Sequence, residues 1–177
     1  MKKKTDSPPP YILAVSGSPH PESQNSQLLA ACANLTSFAV SVSVNPADLP
    51  IYQPERDRSP WSDSVLSWRL QWRDACAVVI STPAYLDNLP GVLKNGLDWL
   101  ATSGEADGKS VLPITFTPTL GRGEHAMQSL LWSLRALNAH VPASLPLEQA
   151  ATRFTDNGDI EVGDSRSLLA AALELLC

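Results

Sequence analysis

The chain has 177 residues, 44% hydrophobic and 18% charged, which is enough apolar material for one core and excludes an intrinsically disordered chain. Thirteen Lys and Arg against eighteen Asp and Glu leave a formal charge of −5, so no basic footprint for a nucleic-acid backbone is expected. Three cysteines (Cys32, Cys76 and Cys177), odd in number, far apart in sequence and without CxxC spacing, exclude a disulfide framework and a cysteine-built zinc site and suit a reducing cytoplasm.

At the start, Lys2-Lys3-Lys4 is followed by Pro8-Pro9-Pro10 and only then by an apolar run from Tyr11 to Val15. That run is shorter than the roughly 7–15 residues of a secretory h-region. No stretch approaches the roughly 18 apolar residues that read as a membrane helix. The expectation is a soluble, cytoplasmic protein that contacts neither membrane nor nucleic acid. Residues 1–10 read as a disordered leader and 11–177 as a single domain.

Beyond the leader, apolar β-rich runs alternate with helical patterns. The first run, 11–15, precedes a helix over 24–35 with Leu28, Leu29, Cys32 and Leu35 on one stripe. A second run, 39–44, leads through Pro-rich residues 46–60 to a helix over 65–72 with Val65, Leu66, Trp68 and Trp72. The run 77–80 precedes a helix over 92–100, and the run 111–116 precedes one over 125–137. Spacings of three and four place each apolar set on one helical face. Asn138–Leu147 is the only candidate for a fifth strand, and Pro142 and Pro146 suit an edge. A turn at Asn157-Gly158 and a helix over 168–176 complete the chain.

The runs 11–15 and 77–80 are continuously apolar, as strands buried on both faces of a parallel sheet require. The β-α alternation therefore predicts an α/β, doubly wound sheet. In such folds ligands bind beyond the carboxyl ends of the strands. The loops after Val15, Ile80 and Phe116 are thus the places to look.

The first loop, Ser16-Gly17-Ser18-Pro19-His20-Pro21-Glu22-Ser23-Gln24-Asn25-Ser26, lacks the Lys of a Walker A motif. It gathers hydroxyls and an amide around a helix N-terminus, where free N–H groups and the dipole favour an anion. A serine-rich turn with Ser23 as N-cap explains one or two of these residues without a ligand. The loop after the third strand, Ser81 to Asn95, carries Pro83, Tyr85 and Pro90, and its backbone suits a planar heterocycle.

Together the loops resemble the NADPH-dependent FMN reductase family, flavodoxin-like proteins that include azo-dye, quinone and chromate reductases. Gly17, Ser18, Ser23 and Asn25 match its G-S-x-R-x-x-S-x-N loop. Thr82, Pro83, Tyr85, Pro90, Gly91, Leu93, Lys94, Asn95, Asp98 and Trp99 match its second motif, T-P-E-Y-N-x-S-x-P-G-x-L-K-N-x-x-D-W. Asp48-Leu49-Pro50 with Tyr52 is similar to its D-L-P-x-Y segment.

The resemblance implies a five-stranded parallel sheet of order 2-1-3-4-5 and non-covalent, exchangeable FMN. NADPH or NADH would be the electron donor, and a quinone, azo dye or free flavin the small-molecule acceptor. It also implies a homodimer or a dimer of dimers. The implied cofactor-binding set is Ser16, Ser18, His20, Ser23, Gln24 and Asn25 in the first loop. Pro83, Ala84, Tyr85 and Leu86 follow the third strand, and Thr117, Thr119 and Gly121 follow the fourth. No catalytic side chain and no metal are expected. Lys94, Asn95 and Asp98 read as helix surface or dimer contacts, and Trp99 as packing.

His20 stands where the family has Arg, Ala84 where it has Glu, Leu86 where it has Asn, and Arg122 precedes Gly123 where Gly-Gly is usual. Loss of a hydrogen bond to a charged group costs about 1.5–3 kcal/mol, so FMN affinity falls by about ten- to hundredfold unless Arg122 compensates. These departures keep a degenerate, FMN-free binding or regulatory module open as an alternative. A one-electron flavodoxin carrier is a further reading, although T-x-T-G-x-T is missing. The third, a dinucleotide-binding enzyme, rests on Gly121-x-Gly123-x-x-Ala126, at the wrong βα unit for that fingerprint. His125 reads as helix surface or substrate contact, and Cys32 and Cys76 as small core residues. Cys177 reads as incidental.

Overall fold

A computed structural model describes residues 9–177; of the expected leader, residues 1–8 lie outside the described residues. Strand β1 (Tyr11–Ser16) leads to α1 (Gln24–Ala31) and β2 (Ala39–Val42). Helix α2 (Asp63–Asp74), β3 (Ala77–Thr82), α3 (Gly91–Asp98), β4 (Ser110–Thr117), α4 (Glu124–Ala136), β5 (Leu145–Glu148) and α5 (Asp164–Glu174) follow. The strands form one parallel sheet in the order β2-β1-β3-β4-β5, as expected.

Alternation along each strand divides the core between the two faces. Leu13, Val15, Val78 and Ile80 meet Trp68 and Trp72 of α2, Leu93 and Leu97 of α3, and Leu130 and Leu134 of α4. Ile12, Ala14, Ala77, Val79 and Phe116 turn the other way, onto Leu28 of α1 and Leu169 and Leu173 of α5. Every residue of β3 is buried, which is why its sequence reads as an unbroken apolar run ending in small hydroxyls. The fifth strand falls at the end of the expected segment, and Pro146 sits on an edge strand paired, among the described residues, with β4 alone. Asn157-Gly158 makes the expected turn, with Gly158 at φ 83 and its N–H donating to Thr155 O (2.9 Å).

One apolar residue departs from its expected stripe: Leu66 is exposed on α2, and on α4 Trp132 is 65% exposed.

The Pro-rich 46–60 segment is clamped to α2 and α3 rather than loose. The buried Arg69 guanidinium donates to Asp57 Oδ1 (2.6 Å) and, through Nε and Nη2, to Trp99 O (3.0 and 2.9 Å). It also lies 4.6 Å from the Trp61 ring centroid. Asn95 accepts from Tyr52 N–H (2.7 Å) and donates to Pro50 O (3.0 Å), and Trp99 Nε1 donates to the same carbonyl (2.8 Å). Asn95 is therefore a structural clamp, not free helix surface: the second motif physically holds the D-L-P-x-Y segment. Lys94 and Asp98 do lie on the surface, paired one helical turn apart at 2.5 Å.

Candidate active site

The ends of β1 and β3 are drawn together by Gly17. Its N–H donates to Ser81 O (2.8 Å), and a Cβ at this position would lie 2.5 Å from Thr82 Oγ1 and 2.9 Å from Leu93 Cδ2. Only a residue without a side chain lets the first loop lie this close to the third.

From there the first loop is built by its own hydroxyls. Ser18 N–H donates to Ser16 Oγ (3.3 Å), Ser26 Oγ donates to Ser16 Oγ (3.3 Å), and His20 N–H donates to Ser18 Oγ (3.2 Å). Ser23 caps α1, accepting from Ser26 N–H at 3.1 Å. The Ser81 hydroxyl donates to Asn25 Oδ1 (2.8 Å), an arrangement that assigns the amide and leaves Nδ2 as its donating end. Ser18 and Asn25 are each only 3% exposed, and no acidic residue occupies the first turn of α1.

The loop after β3 has a different character. Tyr85 and Asn88 exchange backbone hydrogen bonds (2.9 and 3.0 Å) around a two-residue tip formed by Leu86 and Asp87, at φ 49 and 60. Positive φ at both central positions is the type I′ geometry normally given to Asn or Gly. Leu86 is fully exposed there and Tyr85 is half exposed. Asp87 Oδ2 pairs with His125 Nδ1 (2.5 Å), linking the tip to the first turn of α4. Hydrogen bonding to the Asp87 carboxylate, reinforced by its charge, raises the pKa of His125 above the ordinary value.

One cavity of about 320 Å³ joins these loops, within the range of small-molecule sites. Ser18, Ser23, Gln24 and Asn25 line one part, Pro83, Ala84 and Tyr85 another, with Thr117 beside them. The other expected residues lie outside its lining. Ser16 stands behind the first loop as a hydrogen-bond hub, and Thr119 offers only its carbonyl, to Thr117 Oγ1 (2.8 Å). The His20 ring turns back on its own loop, Nδ1 accepting from Glu22 N–H (3.1 Å). Leu86 projects from the tip. Gly121 has open space where a Cβ would go; the close-packed glycine of this turn is Gly123, whose Cβ would meet Thr115 Oγ1 at 2.9 Å.

Pro118, Arg122 and Gln149 complete the lining among the described residues, of which Arg122 alone is charged. Gln149 is fixed beyond β5 by donating through its N–H to Thr117 O (2.8 Å) and through Nε2 to Phe116 O (3.0 Å). The rule that ligands gather at strand ends would have pointed to Gln149 had the end of β5 been located in the sequence.

A mostly neutral set of hydroxyl and amide donors at a helix N-terminus, one cation and a slot bordered by Pro83 and the Tyr85 ring fit a mononucleotide with an anionic tail. The fold and cavity together define a flavodoxin-like α/β protein with a ligand cleft at the carboxyl end of its sheet. Residues 10–152 match the family described as NADPH-dependent FMN reductase, and the chain belongs to that family.

A 2-hydroxy-1,4-benzoquinone reductase from Burkholderia sp. is 38% identical over 89 residues, 50% of this chain and 48% of that protein. The chain thus aligns with about half the length of that relative. An NAD(P)H-dependent FMN reductase of Pseudomonas aeruginosa is 26% identical over 93% of this chain and 92% of its own. Among solved structures, the flavoenzyme NAD(P)H:(acceptor) oxidoreductase FerB from Paracoccus denitrificans superposes with a TM-score of 0.79 at 21% identity, covering 94% of each chain. A flavodoxin, WrbA-like protein from Agrobacterium tumefaciens superposes at 0.58 with 14% identity, covering 96% of this chain and 98% of its own.

Proposed function

We propose that this chain is an NAD(P)H-dependent oxidoreductase that binds FMN and reduces a small acceptor of the quinone, azo or free-flavin class. The observation that carries the reading is the single cavity shared by the phosphate-suited loop after β1 and the flat, proline-stiffened loop after β3. Family membership supports the cofactor and the donor.

In this reading the Ser18 and Ser23 hydroxyls, Asn25 Nδ2 and the first N–H groups of α1 hold the phosphate. Pro83, Ala84 and Tyr85 flank the ring system, with Thr117 on the far side. When bound, FMN itself supplies the two-electron redox chemistry. The protein contributes position, backbone donors and a slot whose open side takes donor and acceptor in turn. No side-chain acid or base is required. Arg122 takes over the charge that the family places in the first loop. His20 is unsuited to that role, since its ring is turned onto Glu22 N–H and lies outside the cavity lining.

The same proposal places the protein in the cytoplasm as a homodimer. Supporting the dimer, the exposed Trp132 borders a groove between α3 and α4 lined by Leu97, Ala101, Ala136 and Leu137. Among the described residues no helix is long and apolar enough to cross a membrane.

The test is the visible spectrum of the purified chain with added FMN. A retained flavin band that bleaches with NADPH or NADH under anaerobic conditions, and returns on adding benzoquinone, is the expected outcome. Arg122→Gln should weaken FMN by up to about tenfold at low salt, with the difference shrinking as salt is raised. The withdrawn His20 ring favours a second reading, a binding module without flavin. Absence of any band at micromolar FMN would select it.

A further inference from the structure

Two cysteines that the proposed function leaves unused stand side by side. Cys76 leads into β3, its N–H donating to Tyr11 O (2.9 Å), and Cys177 follows α5. They are 101 positions apart in sequence, yet their Sγ atoms lie 2.7 Å from one another. A disulfide of about 2.05 Å needs the sulfurs to close by less than an ångström.

Lys109 attends the pair. Its ammonium donates to Ala75 O (2.5 Å) and Arg73 O (3.2 Å), and its charge acts on both sulfurs. A fixed cation beside a thiol favours the thiolate, the reactive form. Desolvation first, and then the contact with Cys76, pushes the Cys177 thiol up to about 12, and either sulfur can donate in the hydrogen bond between them. Cys32 is the contrast: buried in the core, it donates to Leu28 O (3.4 Å). The sequence reading of Cys76 as core filler and Cys177 as incidental therefore misses a pair that only the tertiary fold creates.

We propose that Cys76 and Cys177 form an oxidisable dithiol, a second redox site whose substrate is a small hydroperoxide. The Cys76 thiolate attacks one peroxide oxygen and the O–O bond breaks. The leaving oxygen takes up a proton and departs as an alcohol, or as water from hydrogen peroxide, and Cys76 becomes a sulfenic acid. The Cys177 sulfur then attacks the sulfenic sulfur, its proton leaving with the hydroxide as water, and the S–S bond forms. Two thiols and one hydroperoxide give one disulfide, one alcohol and one water; the sulfurs lose the two electrons that the O–O bond gains. Thiol reductants reverse the bond, in keeping with cytosolic disulfides that sense redox state rather than build structure.

The bond ties the end of α5 to the start of β3, at the opposite end of that strand from the cavity. It should therefore stabilise the fold and leave FMN affinity unchanged within about twofold. Closing a loop of this length restricts the unfolded chain enough to raise Tm by about 10 °C.

The experiment treats the whole chain with stoichiometric hydrogen peroxide, alkylates it under denaturing conditions and maps it by mass without reduction. The expected product is a Cys76–Cys177 peptide pair lighter by two hydrogens, with alkylation at Cys32 alone. Tm should rise and return to its starting value on adding dithiothreitol. Cys177→Ser, at an exposed position, should keep the far-ultraviolet circular dichroism and lose both the link and the Tm shift. Alkylation of all three cysteines after peroxide, a link between two chains, or over-oxidation of one sulfur with the other free would each overturn the proposal.

Discussion

The loops after β1 and β3 border the same cavity and solve opposite problems. The first is internally satisfied around the buried Gly17, Ser18 and Asn25: Ser16, Ser18, Ser23 and Ser26 bond to one another and to the backbone. The other rises to an exposed tip, where Leu86 and Asp87 take up positive φ and the tether is a single surface pair, Asp87 with His125. A rigid donor cradle suits a tail that takes no part in electron transfer, because its donors lose little freedom on binding. A tip held weakly suits the side of a site where partners must exchange. In the proposed function, anchoring and access are thus divided between two loops that Gly17 locks together at their bases.

The largest expected effect concerns the anchor. Asn25→Asp replaces the donating Nδ2 by a carboxylate oxygen in a buried position, beside the proposed phosphate. FMN should bind about a hundredfold more weakly, roughly 2.7 kcal/mol, while riboflavin, which has no phosphate, changes little. Parallel titrations by flavin fluorescence check this, and equal losses for both ligands would remove Asn25 from the phosphate site.

Next comes the joint between the loops. Gly17→Ala introduces a Cβ that must displace Thr82 Oγ1 and Leu93 Cδ2, the latter in the core. Overpacking of this kind costs about 1–3 kcal/mol. Chemical denaturation should show that loss, and FMN affinity should fall with it because the two loops separate. Loss of stability with unchanged affinity would show that the cradle works without its contact to the third loop.

How far the sequence reaches follows the same division. The sheet was legible because strands covered on both faces carry unbroken apolar runs, as β1 and β3 do. The cradle was legible because strand ends and helix N-termini are local features. Contacts made across the fold were not. Asn95 and Trp99 could be matched to a motif, but nothing local says that they grip Pro50. Leu66 and Trp132 keep helical spacing, yet face solvent because periodicity gives a face and not its neighbour. Gly121 and Gly123 are equivalent in a pattern, and only the position of Thr115 separates them. Cys76 and Cys177 are the extreme case, neighbours with no sequence relation at all.

The smallest effect tests the weak tether of the third loop. The Asp87 hydrogen bond raises His125 in the folded chain, so the pair favours the docked tip while His125 is protonated. That contribution is complete below the unfolded pKa of about 6.5 and is lost as pH rises through the higher folded value. NMR titration of the His125 ring should therefore give a midpoint above the ordinary one, and Asp87→Asn should bring it back. The amide signals of Leu86 and Asp87 should titrate with the same midpoint in the parent chain, with the tip more mobile on the alkaline side. Both side chains are exposed, so added salt should shrink the shift without abolishing the hydrogen bond. A tip whose signals ignore the titration of His125 would mean that the loop is held by its own hairpin bonds, and the contrast between a fixed cradle and a releasable tip would fail.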